Sequence, residues 1–171
     1  GLTILTLLLL LAIGALVVVK VFTVEEVVVT GNELYEDETI EEWVLNDEYS
    51  WNTLYVYLKY KFREPETIPF VDTMEITMKL PHTIEIQVYE KGLMGYIYLD
   101  SLGQNAYFDK DGFVVETSSE VIEGIPKISG LSVDAVVLYE QLPIKEGDVL
   151  KNLLTLTQTL KKYELVPDNI I

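Results

Sequence analysis

The chain of 171 residues contains no cysteine. This absence excludes disulfide bonds, thiolate metal sites, cysteine nucleophiles and a lipid anchor on a cysteine thiol. A folded domain outside the cytoplasm would therefore depend on its hydrophobic core alone. The composition is sufficient for this, because 49% of the residues are hydrophobic and 11 are tyrosines.

Basic residues are also scarce. Lysine and arginine total 12 against 28 acidic residues, so the net charge is −16, and Arg63 is the only arginine. Such a surface repels phosphate backbones, which predicts that the protein does not bind nucleic acid. Anionic lipid headgroups are repelled in the same way, so we expect the acidic region to stand off a membrane surface rather than lie on it.

Groups that carry out catalysis are few. His82 is the only histidine and follows Pro81, where a turn residue is expected rather than a general base. Asp109–Gly112 resembles the start of a calcium loop, but its glycine comes early and no glutamate closes it, so a hairpin turn is expected. No phosphate loop, serine elbow or zinc pattern occurs. The sequence predicts that the protein is not an enzyme and has no catalytic residue, metal site or cofactor.

The run from Leu2 to Val19 is long, apolar and uncharged, and Lys20 follows it. Its 18 residues would span about 27 Å as a helix, close to the thickness of the bilayer hydrocarbon core. A cleaved signal peptide is the first alternative, but the run is too long and Lys20 offers no cleavage site. A buried core helix is the second, but such helices are seldom apolar on every face. We therefore predict a transmembrane helix at residues 1–22.

Two short helices are predicted in the region that follows. Residues 37–45 place Ile40, Trp43 and Val44 on one face, with acidic residues in the first turn. A second helix begins after Asn52, whose side chain can cap it, and ends before Pro65. Its apolar stripe is predicted to consist of Leu54, Tyr57, Leu58 and Phe62.

Three strands complete this region. Thr23 to Thr30 is rich in β-branched residues and ends at Gly31-Asn32. Val71 to Leu80 and Thr83 to Lys91 alternate apolar and polar residues on either side of Pro81-His82, so we expect an antiparallel hairpin. The order strand, helix, helix, strand, strand predicts a three-stranded sheet with two helices on one face.

From Gly92 the pattern changes to short strands and glycine turns, which predicts a second, mostly antiparallel β domain with one helix. Its predicted strands are Met94–Leu99, Asn105–Phe108, Phe113–Glu116 and a further one at Val136–Tyr139. Asp148 to Tyr163 has apolar residues at helical spacing, and another strand would start at Asn169. We thus expect an α+β protein with three parts, at residues 1–22, 23–91 and 92–171, the last of which is incomplete at its C-terminal end.

Several segments occur in an order that resembles a known family. They are Thr23–Asn32, Asn52–Tyr55, Ile68–Val71, Lys79–Ile86, Val88–Lys91, Phe108–Val114 and Ile125–Leu131. Together they resemble the FtsQ/DivIB family of bacterial cell-division proteins. Thr23–Asn32 is similar to the opening strand and Gly-Asn turn of a POTRA module, and Lys79–Ile86 is similar to the family's Pro-x-Thr hairpin.

The resemblance implies a single-pass plasma-membrane protein at the division septum, with its C-terminal part outside the cytoplasm. It implies a non-catalytic divisome scaffold that helps regulate septal peptidoglycan synthesis. The implied partners are FtsL-type and DivIC/FtsB-type membrane division proteins and septal peptidoglycan synthases. Two other classes stay open: a membrane-anchored cell-wall enzyme of the transglycosylase type, and a POTRA module of a protein-export or assembly machine.

In a POTRA-like sheet the strand Val71–Leu80 is expected to lie at an edge. Unpaired N–H and C=O groups at such an edge accept a further strand from another protein. The candidate partner-binding residues are Val71, Met74, Glu75, Ile76, Thr77, Met78 and Lys79. The alternative is that the polar residues of this strand only keep the edge soluble.

Overall fold

A computed structural model describes residues 1–131, 133, 135–145 and 147–171. The chain forms two compact units, Gly1–Glu90 and Lys91–Ile171. The α+β class predicted from the sequence is confirmed, since helices and mixed sheets alternate along the chain.

The first unit begins with a long apolar helix, α1, at Leu2–Val21. None of its residues is buried. With 20 residues and a mean hydropathy of 3.0, it is long and apolar enough to cross a membrane. At about 1.5 Å per residue its 20 residues span about 30 Å. The helix thus fits the predicted single-pass anchor.

The rest of the first unit follows the predicted order of elements. These are β1 (Glu26–Thr30), α2 (Asp37–Val44), α3 (Thr53–Phe62), β2 (Val71–Lys79) and β3 (Thr83–Glu90). The three strands form one sheet in the order β1-β3-β2, with β3 parallel to β1 and antiparallel to β2. The predicted hairpin of β2 and β3 is therefore confirmed.

β1 starts three residues later than the sequence predicts. Thr23 instead forms an isolated bridge with Asn52, and the N–H of Val24 donates to Trp51 O at 2.8 Å. The backbone of Thr23 and Val24 is thus paired with the loop between α2 and α3 rather than with the sheet.

Apolar residues from both helices and the sheet form the core of the first unit. Its buried members are Ile40, Val44, Val56, Ile68, Val71, Met74, Ile76, Ile84, Ile86 and Val88. The predicted inner face of α2 is confirmed, because Ile40 and Val44 are completely buried and Trp43 packs partly against the core. The core therefore lies between the helices and one face of the sheet.

The predicted inner face of α3 is wrong. Leu58 is 42% exposed and Phe62 is 78% exposed, whereas Thr53 and Val56 are completely buried. The hydroxyl of Tyr60 donates to Val44 O at 2.7 Å on the same buried side. Polar anchors at both ends of α3 thus turn the face of Thr53, Val56 and Tyr60 inward.

The second unit is built on a five-stranded mixed sheet. Its elements are β4 (Gly95–Leu99), β5 (Gln104–Phe108), β6 (Val114–Ser118), β7 (Lys127–Ile128), α4 (Gly147–Lys162) and β8 (Asn169–Ile170). The strand order is β6-β5-β4-β7-β8, in which β4–β5 and β5–β6 are antiparallel and the other two pairings are parallel.

One strand predicted in the second unit is wrong. Val136–Tyr139 is not a strand, and Tyr139 has a positive φ of 66°. Its N–H donates to Val114 O at 2.7 Å, and the N–H of Leu142 donates to Gly112 O at 2.9 Å. This segment therefore lies alongside the start of β6 without regular strand pairing. The predicted helix is confirmed as α4, which buries Leu150, Leu153 and Thr157.

Candidate partner-binding edge and membrane-proximal end

β2 lies at an edge of the three-stranded sheet, as the sequence predicts. It pairs with β3 on one side, with Met74 opposite Val88 and Met78 opposite Ile84. In the described part of the chain, its one other backbone hydrogen bond runs from Val71 N–H to Ile68 O, at 3.2 Å. The outer side of β2 is therefore able to accept a further strand.

The predicted binding residues divide between the two faces of β2. Val71, Met74 and Ile76 are buried in the core, and Met78 packs partly against it. Glu75, Thr77 and Lys79 face the other way, and Lys79 forms an ion pair with Glu85 of β3. The buried side chains support the edge from within, so the backbone edge and the polar face are the parts of β2 that are accessible from outside.

An open groove of about 580 Å³ lies beside the first half of β2. It is lined by residues 60–68, which include the end of α3 and the loop after it, and by residues 71–74 of β2. Phe62 stands largely exposed at this groove. A strand added to β2 would therefore lie next to an apolar side chain and a charged loop.

The sheet face opposite the helices is open to solvent. A shallow depression of about 270 Å³ crosses all three strands there. Its lining residues are Val28, Thr30, Glu75, Thr77, Glu85, Gln87 and Tyr89. Acidic and hydroxyl groups predominate in this set, so the face is polar apart from Val28 and the ring of Tyr89.

Asp47 organises the loop between α2 and α3. The Oδ1 of Asp47 accepts hydrogen bonds from the N–H of Tyr49 and from the hydroxyl of Ser50, both at 3.0 Å. Its Oδ2 accepts from Tyr55 Oη at 2.9 Å and from Lys59 Nζ at 2.8 Å. Burial acts to raise the pKa of Asp47, but these hydrogen bonds outweigh it and hold the pKa well below its usual value.

Two other pKa values shift at the same place. The hydrogen bond to Asp47 raises the pKa of the Tyr55 hydroxyl, and burial adds to the rise. Burial acts to lower the pKa of Lys59, but its hydrogen bond to Asp47 prevails and the pKa is raised. All three groups thus keep their ordinary charge states near neutral pH, and their hydrogen bonds join the loop to α3.

The end of α1 is tied to the loop that Asp47 organises. The side-chain amide of Asn52 donates to Val18 O at 2.8 Å, and Thr53 N–H donates to Phe22 O at 3.0 Å. Asn52 also caps α3, because its Oδ1 accepts from Tyr55 N–H at 2.9 Å. The cap was predictable from the sequence. The second bond of Asn52 was not, since nothing in the local pattern links residues 18 and 52.

The turn between β2 and β3 lies at this same end of the first unit. Thr53 Oγ1 donates to Pro81 O, and Glu25 N–H donates to His82 O at 2.9 Å. The Nδ1 of His82 lies 3.1 Å from Thr23 O. His82 therefore links the start of β1 to the hairpin, in keeping with the predicted turn residue.

The Asp109–Gly112 segment forms the predicted turn. The Oδ1 of Asp109 accepts from the N–H groups of Asp111 and Phe113, both at 2.9 Å. Within residues 1–131, 133, 135–145 and 147–171, no three His, Asp or Glu side chains lie close enough together to hold a metal ion.

One comparison with known proteins gives a match. The family model for the POTRA domain of the FtsQ type matches residues 22–91, which covers the sheet and the two helices that follow α1. No curated protein matches the chain.

Proposed function

Since the chain carries a POTRA domain of the FtsQ type behind an apolar helix, as its resemblance to FtsQ/DivIB predicted, we propose that it is a non-catalytic scaffold of the bacterial divisome. In this role it binds FtsL-type and DivIC/FtsB-type membrane division proteins and helps regulate septal peptidoglycan synthesis, with septal synthases as further partners. It is anchored in the plasma membrane by α1, and both folded units lie outside the cytoplasm at the septum.

The unpaired edge of β2 is the observation that carries this proposal. A scaffold needs a surface that other chains recognise, and an open edge supplies N–H and C=O groups in a regular row. FtsQ-type POTRA domains are generally non-catalytic, which agrees with the absence of a catalytic motif in the sequence. Confinement to the bilayer by α1 raises the local concentration of the domain for partners in the same membrane.

Strand addition at β2 is the binding mode that the geometry favours. The incoming strand would pair with the outer backbone groups of Val71–Lys79. Its side chains would meet Glu75 and Thr77 on one face and the groove beside Phe62 near the start of the strand. The buried side of β2 would not change, so binding requires no opening of the core.

Crosslinking in cells tests the scaffold role. A photoreactive residue at Thr77 should capture membrane division proteins in the full-length protein, and a matched one at Thr155, exposed on α4, controls for random collision. If the variant is present in the membrane but its photoreactive residue at Thr77 captures no division protein, the proposal is contradicted.

A proline pair tests the edge itself. Adjacent residues of a strand direct their N–H groups to opposite sides, so one of Thr77→Pro and Met78→Pro removes a bond to β3 and the other removes only an outward donor. We expect the variant that keeps the folded circular-dichroism spectrum to lose partner capture. Unchanged capture by that folded variant would show that β2 is not the site.

A digestion assay separates this scaffold from a cell-wall enzyme. The purified residues 22–171, incubated with peptidoglycan, should release no muropeptides. Release that a single carboxylate substitution abolishes would refute the non-catalytic role.

A further inference from the structure

We propose that Tyr49, Trp51 and Leu80 form a membrane-proximal tip that inserts into the headgroup region of the bilayer and fixes the orientation of the POTRA domain. This inference rests on the anchoring of the chain by α1. The occupant of the tip is the lipid interface itself, not a protein partner.

The position of the tip follows from the hydrogen bonds at the end of α1. Asn52 Nδ2 bonds to Val18 O, which lies in the last turn of a helix about as long as the hydrocarbon core is thick. Trp51 precedes Asn52 and accepts from Val24 N–H. The loop that carries Trp51 therefore lies level with the end of the membrane helix, where hydrocarbon gives way to headgroups.

The β2–β3 turn reaches the same level. Its Pro81 O accepts from Thr53 Oγ1, and the N–H of Thr53 in turn donates to Phe22 O just past the end of α1. Leu80, in this turn, is 72% exposed. Two separate loops thus bring exposed apolar groups to the boundary of the bilayer.

The side chains of the tip are those that a lipid interface favours. Trp51 is 45% exposed and Tyr49 is 54% exposed, although both are aromatic. Trp and Tyr collect at membrane–water interfaces, because the ring is apolar and its N–H or O–H group remains hydrated. The tip thus presents to the bilayer boundary the residue types that collect there.

The loop is also rigid enough to orient the domain. Asp47 accepts hydrogen bonds from the N–H of Tyr49 and the hydroxyl of Ser50, and the N–H of Asn52 donates to Tyr49 O at 3.1 Å, so bonds before and after Trp51 hold the loop. Glu25, Glu26 and Glu48 are exposed acids at this end, and Lys79 is already paired with Glu85. Because zwitterionic lipid carries no net charge, these acids do not oppose contact at the tip with such lipid.

Trp43 provides an internal control at the far end of the domain. It packs edge-on against Tyr35, with ring centroids 4.8 Å apart, and the hydroxyl of Tyr35 donates to Pro69 O. Pro69 precedes β2, whereas Leu80 follows it, and nine strand residues at about 3.3 Å each separate the two ends by about 30 Å. The fluorescence of the two tryptophans therefore reports on opposite ends of the domain.

Fluorescence quenching by lipid tests the inference. The full chain is reconstituted in phosphatidylcholine vesicles that contain lipid brominated near the headgroup. The Trp43→Phe variant, which reports Trp51, should lose about half of its emission, whereas Trp51→Phe, which reports Trp43, should change little. If Trp43→Phe does not fold, the difference between wild type and Trp51→Phe gives the same quantity.

A second probe tests the other loop. Leu80→Trp in a chain lacking both native tryptophans should be quenched as Trp51 is. Flotation of the vesicles is measured on the same samples. A chain that does not float refutes the anchor and the tip together. In a chain that floats, Trp51 could be quenched by the lipid no more than Trp43 and remain accessible to quenching by aqueous acrylamide. That result would refute the tip alone, and the surface would then be assigned to a protein partner.

Discussion

Gly31 occupies a conformation that other residues rarely adopt, with φ at +83°. A Cβ there would lie 2.4 Å from Val88 O in β3. Gly31→Ala should therefore reduce the free energy of unfolding by about 2 kcal/mol, from the positive φ and the backbone clash together.

Gly92→Ala is the matched control, because a Cβ at Gly92 meets no atom within 4 Å. Urea unfolding followed by circular dichroism measures both variants. Equal stability of the two would show that the turn after β1 tolerates a side chain.

Asp47 makes part of the stability depend on pH. Because its pKa in the folded state lies below that in the unfolded state, its contribution is fully present above about pH 4 and is lost as the pH falls through the folded value. We expect Asp47→Asn to lower the free energy of unfolding by about 1 kcal/mol at pH 7, a figure reduced for solvent screening.

The difference between Asp47→Asn and wild type should shrink below about pH 4. Glu48→Gln, at an exposed neighbouring position, is measured alongside as a control for the loss of one negative charge. Thermal unfolding from pH 2 to pH 7 provides the comparison, and a constant difference across that range would contradict the assignment to Asp47.

At the level of elements, α3 presents two competing faces. Val56 is completely buried, whereas Leu58 is 42% exposed. Val56→Ala should cost about 2 kcal/mol of unfolding free energy, because it removes two buried methyl groups and leaves a cavity. Leu58→Ala should change it by less than about 0.5 kcal/mol. Chemical denaturation of the two variants tests which face is inside, and the reverse order of costs would support the stripe predicted from the sequence.

The sequence was enough to predict the helices and the β2–β3 hairpin, because their signals are local: Asn52 at a cap, alternation in β2, and a turn at Pro81-His82. The inner face of α3 was not predictable in this way. Two sets of residues both repeat at helical spacing, and the bonds that choose between them run from Thr53 to Pro81 and from Tyr60 to Val44. The periodicity of apolar residues in α3 contains no information about such polar contacts with distant segments.

The candidate site was predictable to a similar degree. The alternation of β2 was sufficient to predict a strand, and the resemblance to a POTRA module placed that strand at an edge of the sheet. The groove beside Phe62 and the bond from Asn52 to Val18 depend on contacts between segments far apart in the chain, so neither has a signal in the local pattern.

At the level of the whole molecule, the two units have separate cores. The buried cluster of the first unit includes Ile86, and that of the second includes Ile97, with no residue in common. Ile86→Ala should lower the stability of the first unit by about 3 kcal/mol. Amide hydrogen exchange should accelerate in β2 and β3, whereas exchange in β4 and β5 should stay as in wild type. Equal acceleration in both units would show that they unfold together.

The bonds from Asn52 and Thr53 to the end of α1 also have a mechanical consequence. These bonds replace a flexible linker between the helix and the sheet. A rotation of α1 about its own axis therefore turns β2 through the same angle. Each residue of a helix corresponds to about 100° of rotation. If β2 binds a partner as proposed, the side of α1 that faces its neighbours within the bilayer would therefore set the direction from which that partner approaches β2.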